Sequence, residues 1–157
     1  MGVGKEDGML RFSNVSENCL NHVLTAEEKV NTPCIEIPTT TLNNAFKDQT
    51  PSIMKIDIEG FEWFALQGAD KLLHSSTLHA IILEFNEHAK RYGITSDMME
   101  KKLLEFGFRP YAYSPEKRTL CKTTFNTNGN TLWVRHEDIV REAVTSSPVF
   151  SVYGHCL

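Results

Sequence analysis

Long apolar runs are missing from this chain. No segment reaches the ~18 or more apolar residues of a membrane span, and the opening "MGVGKEDG" lacks the apolar core of a secretory signal. The glycine after Met1 also lacks the Ser or Thr of a myristoylation signal, because that position is Glu6. Positive charge is in deficit: 16 basic residues face 20 acidic ones, giving a formal charge of −4. That balance leaves no electrostatic footprint for nucleic acid or an anionic membrane, so neither is expected as a partner. Cysteine is sparse and scattered; Cys19, Cys34, Cys121 and Cys156 form no C-x-x-C and no zinc spacing. They read as free thiols, and a cytoplasmic location is expected. The one sequon, Asn14-Val15-Ser16, means little without a secretion signal. There is no G-x-x-x-x-G-K-[ST], which argues against a nucleotide-binding α/β domain.

What the chain has is enough material for one core: 157 residues, 41% apolar and 23% charged, an ordinary globular balance. "MLRFS" at 9–13 and "CIEIP" at 34–38 alternate as short peripheral strands, the second expected to stop at Pro38. "TAEEKVNTP" between them reads as loop or short helix, and "TTTLNNAF" as a cap leading into a helical turn. A strand "SIMKIDIE" from Ser52 meets Gly60, followed by Phe61, Phe64, Ala65, Ala69, Leu72 and Leu73 at helical spacing. "HAIILEFN" at 79–86 has the continuous apolar character of a strand buried on both faces. Thr95, Ser96 and Asp97 cap a helix through Phe106 that Gly107 ends, with Met98 and Met99 expected in the core. Strands "RPYAYS" and "TLWVR" and a helix from Asp138 to about Val144 complete an α/β domain with a parallel core and an antiparallel pair near one edge.

The chemistry concentrates where two strands end. "KIDIEGFE" at 55–62 alternates Ile56 and Ile58 on one side with Lys55, Asp57 and Glu59 on the other. The next strand delivers Glu84 and Asn86 on a shared face. In open α/β sheets, ligands bind beyond the carboxyl ends of the strands. If the two strands are neighbours, three carboxylates and an amide meet there, a crowding that a cation, a hydroxyl-rich ligand or a raised pKa must relieve. The plainer alternative is that Lys55 pairs with a carboxylate while the acids cap helix N-termini, the reading that suits Glu62 best.

At these residues the sequence resembles a family. "MKIDIEGFEWFALQGADKLL", then "AIILEFNEH" and "YGI", and on through "FGFRPYAYS" to "TLWVR", resemble the FkbM-type methyltransferases over roughly Gly4 to Arg135. The resemblance implies a Rossmann-like class I methyltransferase fold of α/β class that uses S-adenosylmethionine, often to methylate oxygen. It places Asp57, Glu59 and Gly60 at the end of the family's fourth strand and Glu84 with Asn86 at the end of the fifth. Asp57, Glu59 and Glu84 are the implied catalytic acids, with Asp57 and Gly60 also toward the cofactor. Asn86 and the loop residue His88 face the acceptor, a small molecule or glycan. A magnesium ion held by Asp57, Glu84 and Asn86 is a second version of the site, since all three are hard oxygen ligands. Arg91 and Tyr92 lie in the same loop as His88, and Trp63 either walls the pocket or packs.

The family's cofactor loop is missing from this pattern. "GVGKEDG" at 2–8 supplies glycines without the preceding strand and following helix that give such a fingerprint meaning, and it reads as a turn before "MLRFS". The expectation is therefore a fold truncated in its N-terminal half, with residues 1–144 a partial methyltransferase domain and 145–157 a tail in which "VFSVY" adds a strand or covers an exposed edge. The fourth strand would then present an unpaired apolar edge, inviting homo-oligomerisation. A catalytically inactive module working through protein–protein contacts is the competing reading.

Overall fold

The computed structural model describes residues 1–15, 21–28 and 33–148, and the backbone of 151–152 and 155–156. A five-stranded sheet in the order β4-β5-β8-β6-β7 forms its centre, from β4 (Ile53–Ile56), β5 (Ala80–Phe85), β6 (Arg109–Ser114), β7 (Thr119–Lys122) and β8 (Gly129–Val134). β4 pairs in parallel with β5, and β8 lies antiparallel to both β5 and β6. β4, β5 and β6 therefore run in one direction. The expected parallel core is present, with β8 inserted into it and β7, between the expected strands "RPYAYS" and "TLWVR", folded back on β6 as a hairpin.

One face of this sheet buries Met54, Ile56, Ile81, Leu83 and Phe85 against three helices, α2 (Glu62–Gln67), α3 (Asp70–His74) and α4 (Ser96–Glu105). The single amphipathic run expected after Gly60 is two short helices, because Gly68 and Ala69 interrupt it. Gly68 is where α2 meets the small sheet: a Cβ there would lie 2.1 Å from the Gly4 carbonyl oxygen. α4 begins at Thr95, whose hydroxyl accepts from the Met98 N–H as an N-cap should. Met99 is fully buried as expected; Met98 is 37% exposed and corrects that expectation. The other face carries a smaller cluster of Ala80, Tyr111, Leu120 and Val134 beneath Val140 and Val144 of α5 (Glu137–Ser146).

A second sheet, β1-β3-β2, comprises β1 (Gly2–Gly4), β2 (Gly8–Ser13) and β3 (Cys34–Thr41). Two expectations change here. Gly2–Gly4 is a strand, parallel to β3, and only Lys5–Asp7 make the turn. β3 also runs through Pro38 to Thr41. Pro38 faces Met9 of β2, and β1 pairs only from Thr39 onward, so the donor that proline lacks is not demanded by a second neighbour. Thr41 then caps α1 (Leu42–Ala45) by accepting from the Asn44 N–H.

Of the loop or helix expected over 25–33, residues 29–32 fall outside the described residues, as do Ser16 of the sequon and Cys19; Cys34 and Cys121 are free thiols. The described tail residues pair with one another, β9 (Ser151–Val152) with β10 (His155–Cys156), so "VFSVY" does contain a strand. β4 is an edge strand with one described neighbour, and its Ile53 is 53% exposed.

Arg135, directly after β8, ties the layers together. Its guanidinium donates to the carbonyls of Leu73, Ser75, Leu78 and Phe106 and lies over the Phe108 ring. Arg135→Met leaves those carbonyls without their cationic donor, and a loss of about 3 kcal/mol is expected from charge-assisted bonds of this kind. Urea unfolding checks it: the midpoint should fall with the slope unchanged, and an unmoved midpoint would remove Arg135 from this role.

Candidate active site

β4 ends at Ile56, one residue before the acids. Its alternation carries Asp57 to the face opposite the large core, and the parallel register, with Ile56 level with Leu83, brings Asp57 beside Glu84. Asp57 also takes a salt bridge from Lys55, the pairing expected in the plainer sequence reading. That bond, reinforced by one shared with Glu84, holds the Asp57 carboxyl below its ordinary range. Glu84 moves the other way: burial first, then the charges of Asp57, Glu59 and Glu62, push it above the usual range. The crowding is thus relieved by splitting the two acids, one held ionised and one biased toward its neutral form.

Glu59 does not continue the strand face. Its φ of 58° is left-handed, an uncommon state for a side-chain-bearing residue, and it turns the carboxylate to His88, with Oε2 3.0 Å from Nδ1. Gly60 follows with φ of 99°, and a Cβ there would lie 2.6 Å from the backbone carbon of His88. The glycine is required so that this turn can touch the 3₁₀ helix Glu87–Tyr92, which the sequence pattern reads as loop. Asn86 caps that helix: its Oδ1 accepts from the His88 N–H at 2.9 Å and its Nδ2 donates to Glu84 Oε2 at 3.1 Å.

The residue that fixes the turn is Glu62. It is 1% exposed, and its Oε1 accepts from the N–H groups of Ile58 at 2.9 Å and Gly60 at 3.1 Å. The D-x-E-G-x-E spacing marks it as a first-turn acid, but its inward aim depends on the turn closing back over α2.

Asp57, Glu59, Gly60, Glu84, Asn86 and His88 are therefore grouped at one edge, in two subsets: Asp57 with Glu84 and Asn86, and Glu59 with His88. The magnesium version finds no support in this grouping. Both functional atoms of the Asn86 amide are engaged within the protein, and among the described residues no three His, Cys, Asp or Glu side chains are grouped to hold a metal. Trp63 packs by α4, where the Lys102 ammonium lies 5.7 Å from its ring centroid. The Tyr92 hydroxyl donates to the Val23 carbonyl at 2.7 Å, and Arg91 pairs with Glu28. No helix among the described residues is long and apolar enough to cross a membrane.

The Methyltransferase FkbM domain matches residues 3–110, from β1 to the start of β6, with the whole signature turn inside the match. No curated protein and no solved structure matches the chain significantly.

Two outcomes test this site. Glu62→Ala strands two backbone donors and is expected to cost about 2 kcal/mol, seen as a lower denaturant midpoint; an unchanged midpoint would show that the turn holds itself. For Glu84 the fold favours the protonated form, so its contribution is stabilising at low pH and is lost as pH rises through the raised value. Asp57, with its pKa lowered, contributes above the ordinary carboxyl range and loses that contribution as pH falls. Glu84→Gln is accordingly expected to raise the melting temperature at neutral pH, with the gap closing as the solution is acidified; a lower melting temperature at neutral pH would contradict the assignment.

Proposed function

The chain belongs to the FkbM methyltransferase family, and we propose on that footing that it transfers a methyl group from S-adenosylmethionine to a hydroxyl oxygen of a small molecule or glycan. The observation that carries this reading is the Glu59–His88 pair, formed by a left-handed residue inside the signature turn and aimed at the loop beyond β5. With Nδ1 donating to the Glu59 carboxylate, His88 keeps Nε2 as an acceptor for the hydroxyl proton. Glu59 sets the tautomer and steadies the imidazolium that results.

Asp57, held ionised, with Glu59 near it, would hold the positive end of the donor, because negative charge complements a sulfonium, and Glu84, biased toward its neutral form, stands beside Asp57. When bound, S-adenosylmethionine supplies an electrophilic methyl for in-line displacement. Asn86 orients Glu84 through its amide, and Lys55 keeps Asp57 ionised. Gly60 contributes through its missing Cβ, which lets the turn approach His88. We read the five-stranded sheet as the second half of a Rossmann-like class I fold; three co-directional strands with β8 antiparallel among them support that reading.

The test is methyl transfer from isotopically labelled S-adenosylmethionine to a panel of hydroxylated acceptors. Positioned acid–base groups contribute ~10²–10⁴-fold, so His88→Ala is expected to lower turnover at least a hundredfold, and Glu59→Gln less while shifting the pH profile. Undiminished turnover in His88→Ala would remove the proposed base. A second reading, an inert module that binds a partner, is favoured by Ile53 exposed on edge strand β4; it requires that no acceptor be methylated while Ile53→Lys abolishes association.

A further inference from the structure

Two adjoining cavities lie between the small sheet and the signature turn. One, of about 220 Å³, is walled by Val3, Leu10, Phe12, Ile37 and Phe61 and has Glu59 on its lining. The other, of about 300 Å³, shares Leu10, Val23, Thr39 and Phe61 with it and adds Phe64, Tyr92 and the charged turn Lys5–Asp7. The aromatic wall is ordered by its own contacts: the Phe61 ring stacks on Phe64 at 4.4 Å and meets Tyr92 edge-on at 5.3 Å.

Apart from Glu59, the polar side chains on the wall of the smaller cavity and on the surface it shares with the larger are committed to the protein. Asn21 Oδ1 accepts from the Val15 N–H at 2.9 Å and from Ser13, while its Nδ2 donates to the Val15 carbonyl. Thr39 donates to the Glu6 carbonyl and Tyr92 to the Val23 carbonyl. What faces the space with chemistry to offer is Glu59, bonded to His88. A ligand that fits has an apolar, flat body and one hydroxyl at its end. A sugar does not fit the smaller cavity, because its remaining hydroxyls would be buried there without partners.

We propose that the smaller cavity is the acceptor site and that the acceptor is a phenol, its ring against Phe12 and Phe61 and its hydroxyl at the Glu59–His88 pair. The proposal rests on the methyltransferase reading and narrows it. The acidity of the group agrees with a half-exposed imidazole as the base: a phenol ionises near pH ~10, as tyrosine does, whereas an aliphatic alcohol holds its proton far more tightly. The phenol O–H bond breaks with its proton passing to His88 Nε2, and the oxygen lone pair forms the new bond to carbon as the donor's sulfur leaves with its electron pair.

Binding is tested without any methyl donor, so that failure here is separable from failure of the methyltransferase reading. The probes are para-cresol and methyl glucoside, followed by amide chemical shifts of the whole chain. Cresol is expected to shift Leu10, Phe12 and Phe61, the glucoside to shift nothing, and Val23→Phe, which fills the shared wall, to weaken cresol at least tenfold. Shift mapping on the unaltered protein keeps the proposal testable if that variant misfolds. Cresol shifts elsewhere, unchanged affinity in a folded Val23→Phe, or equal binding of the glucoside would overturn it. Methylation of aliphatic alcohols without cresol binding would also overturn it and leave the transfer reading standing.

Discussion

The buried carboxylate of Glu62 is the constraint from which the site follows. A charged side chain withdrawn from water must be fully paired, and this one is paired by the backbone of the turn that precedes it. By accepting from Ile58 and Gly60 it ties the exit of β4 to the start of α2, where the helix dipole also favours an acid. The turn so held forces Glu59 into a left-handed conformation and Gly60 against the 3₁₀ helix. An uncommon backbone state of this kind persists only when its surroundings over-determine it, and here its product is the approach of Glu59 to His88.

The acids of the site are neighbours without being equivalent. Lys55 stands beside Asp57 and lowers its pKa, while Glu84, more enclosed and facing the other acids, is raised. A pair of carboxyls driven apart in this way can present charge and a protonated oxygen side by side. Asn86 serves both subsets, giving its N–H to Glu84 and its oxygen to the backbone of His88. One amide therefore sets the spacing between the rim and the imidazole.

The two sheets divide the labour. The five-stranded sheet, clamped by Arg135 at the end remote from the acids, is the rigid part and presents the polar groups. The small sheet brings apolar side chains against Phe61 and leaves space between them. Gly68 and Gly4 set how closely these parts approach, since a single methyl at Gly68 would strike the β1 backbone.

The strand alternation around Ile56, the apolar run at 80–85, the Thr95 cap and the D-x-E-G-x-E spacing are properties of local sequence, and they sufficed to indicate the α/β class, the family resemblance and the grouping of Asp57, Glu59, Glu84 and Asn86. These are readable because period and cap chemistry repeat within a few residues. What the tertiary structure decided is how the grouping divides. Glu59 pairs with His88, 29 positions away, and Glu62 turns inward because the turn folds back over it. Asn86 is spent on internal bonds, and β3 passes through Pro38 because its second neighbour begins one residue later. Each outcome depends on which backbone donors lie nearby in space, and linear spacing holds no record of that.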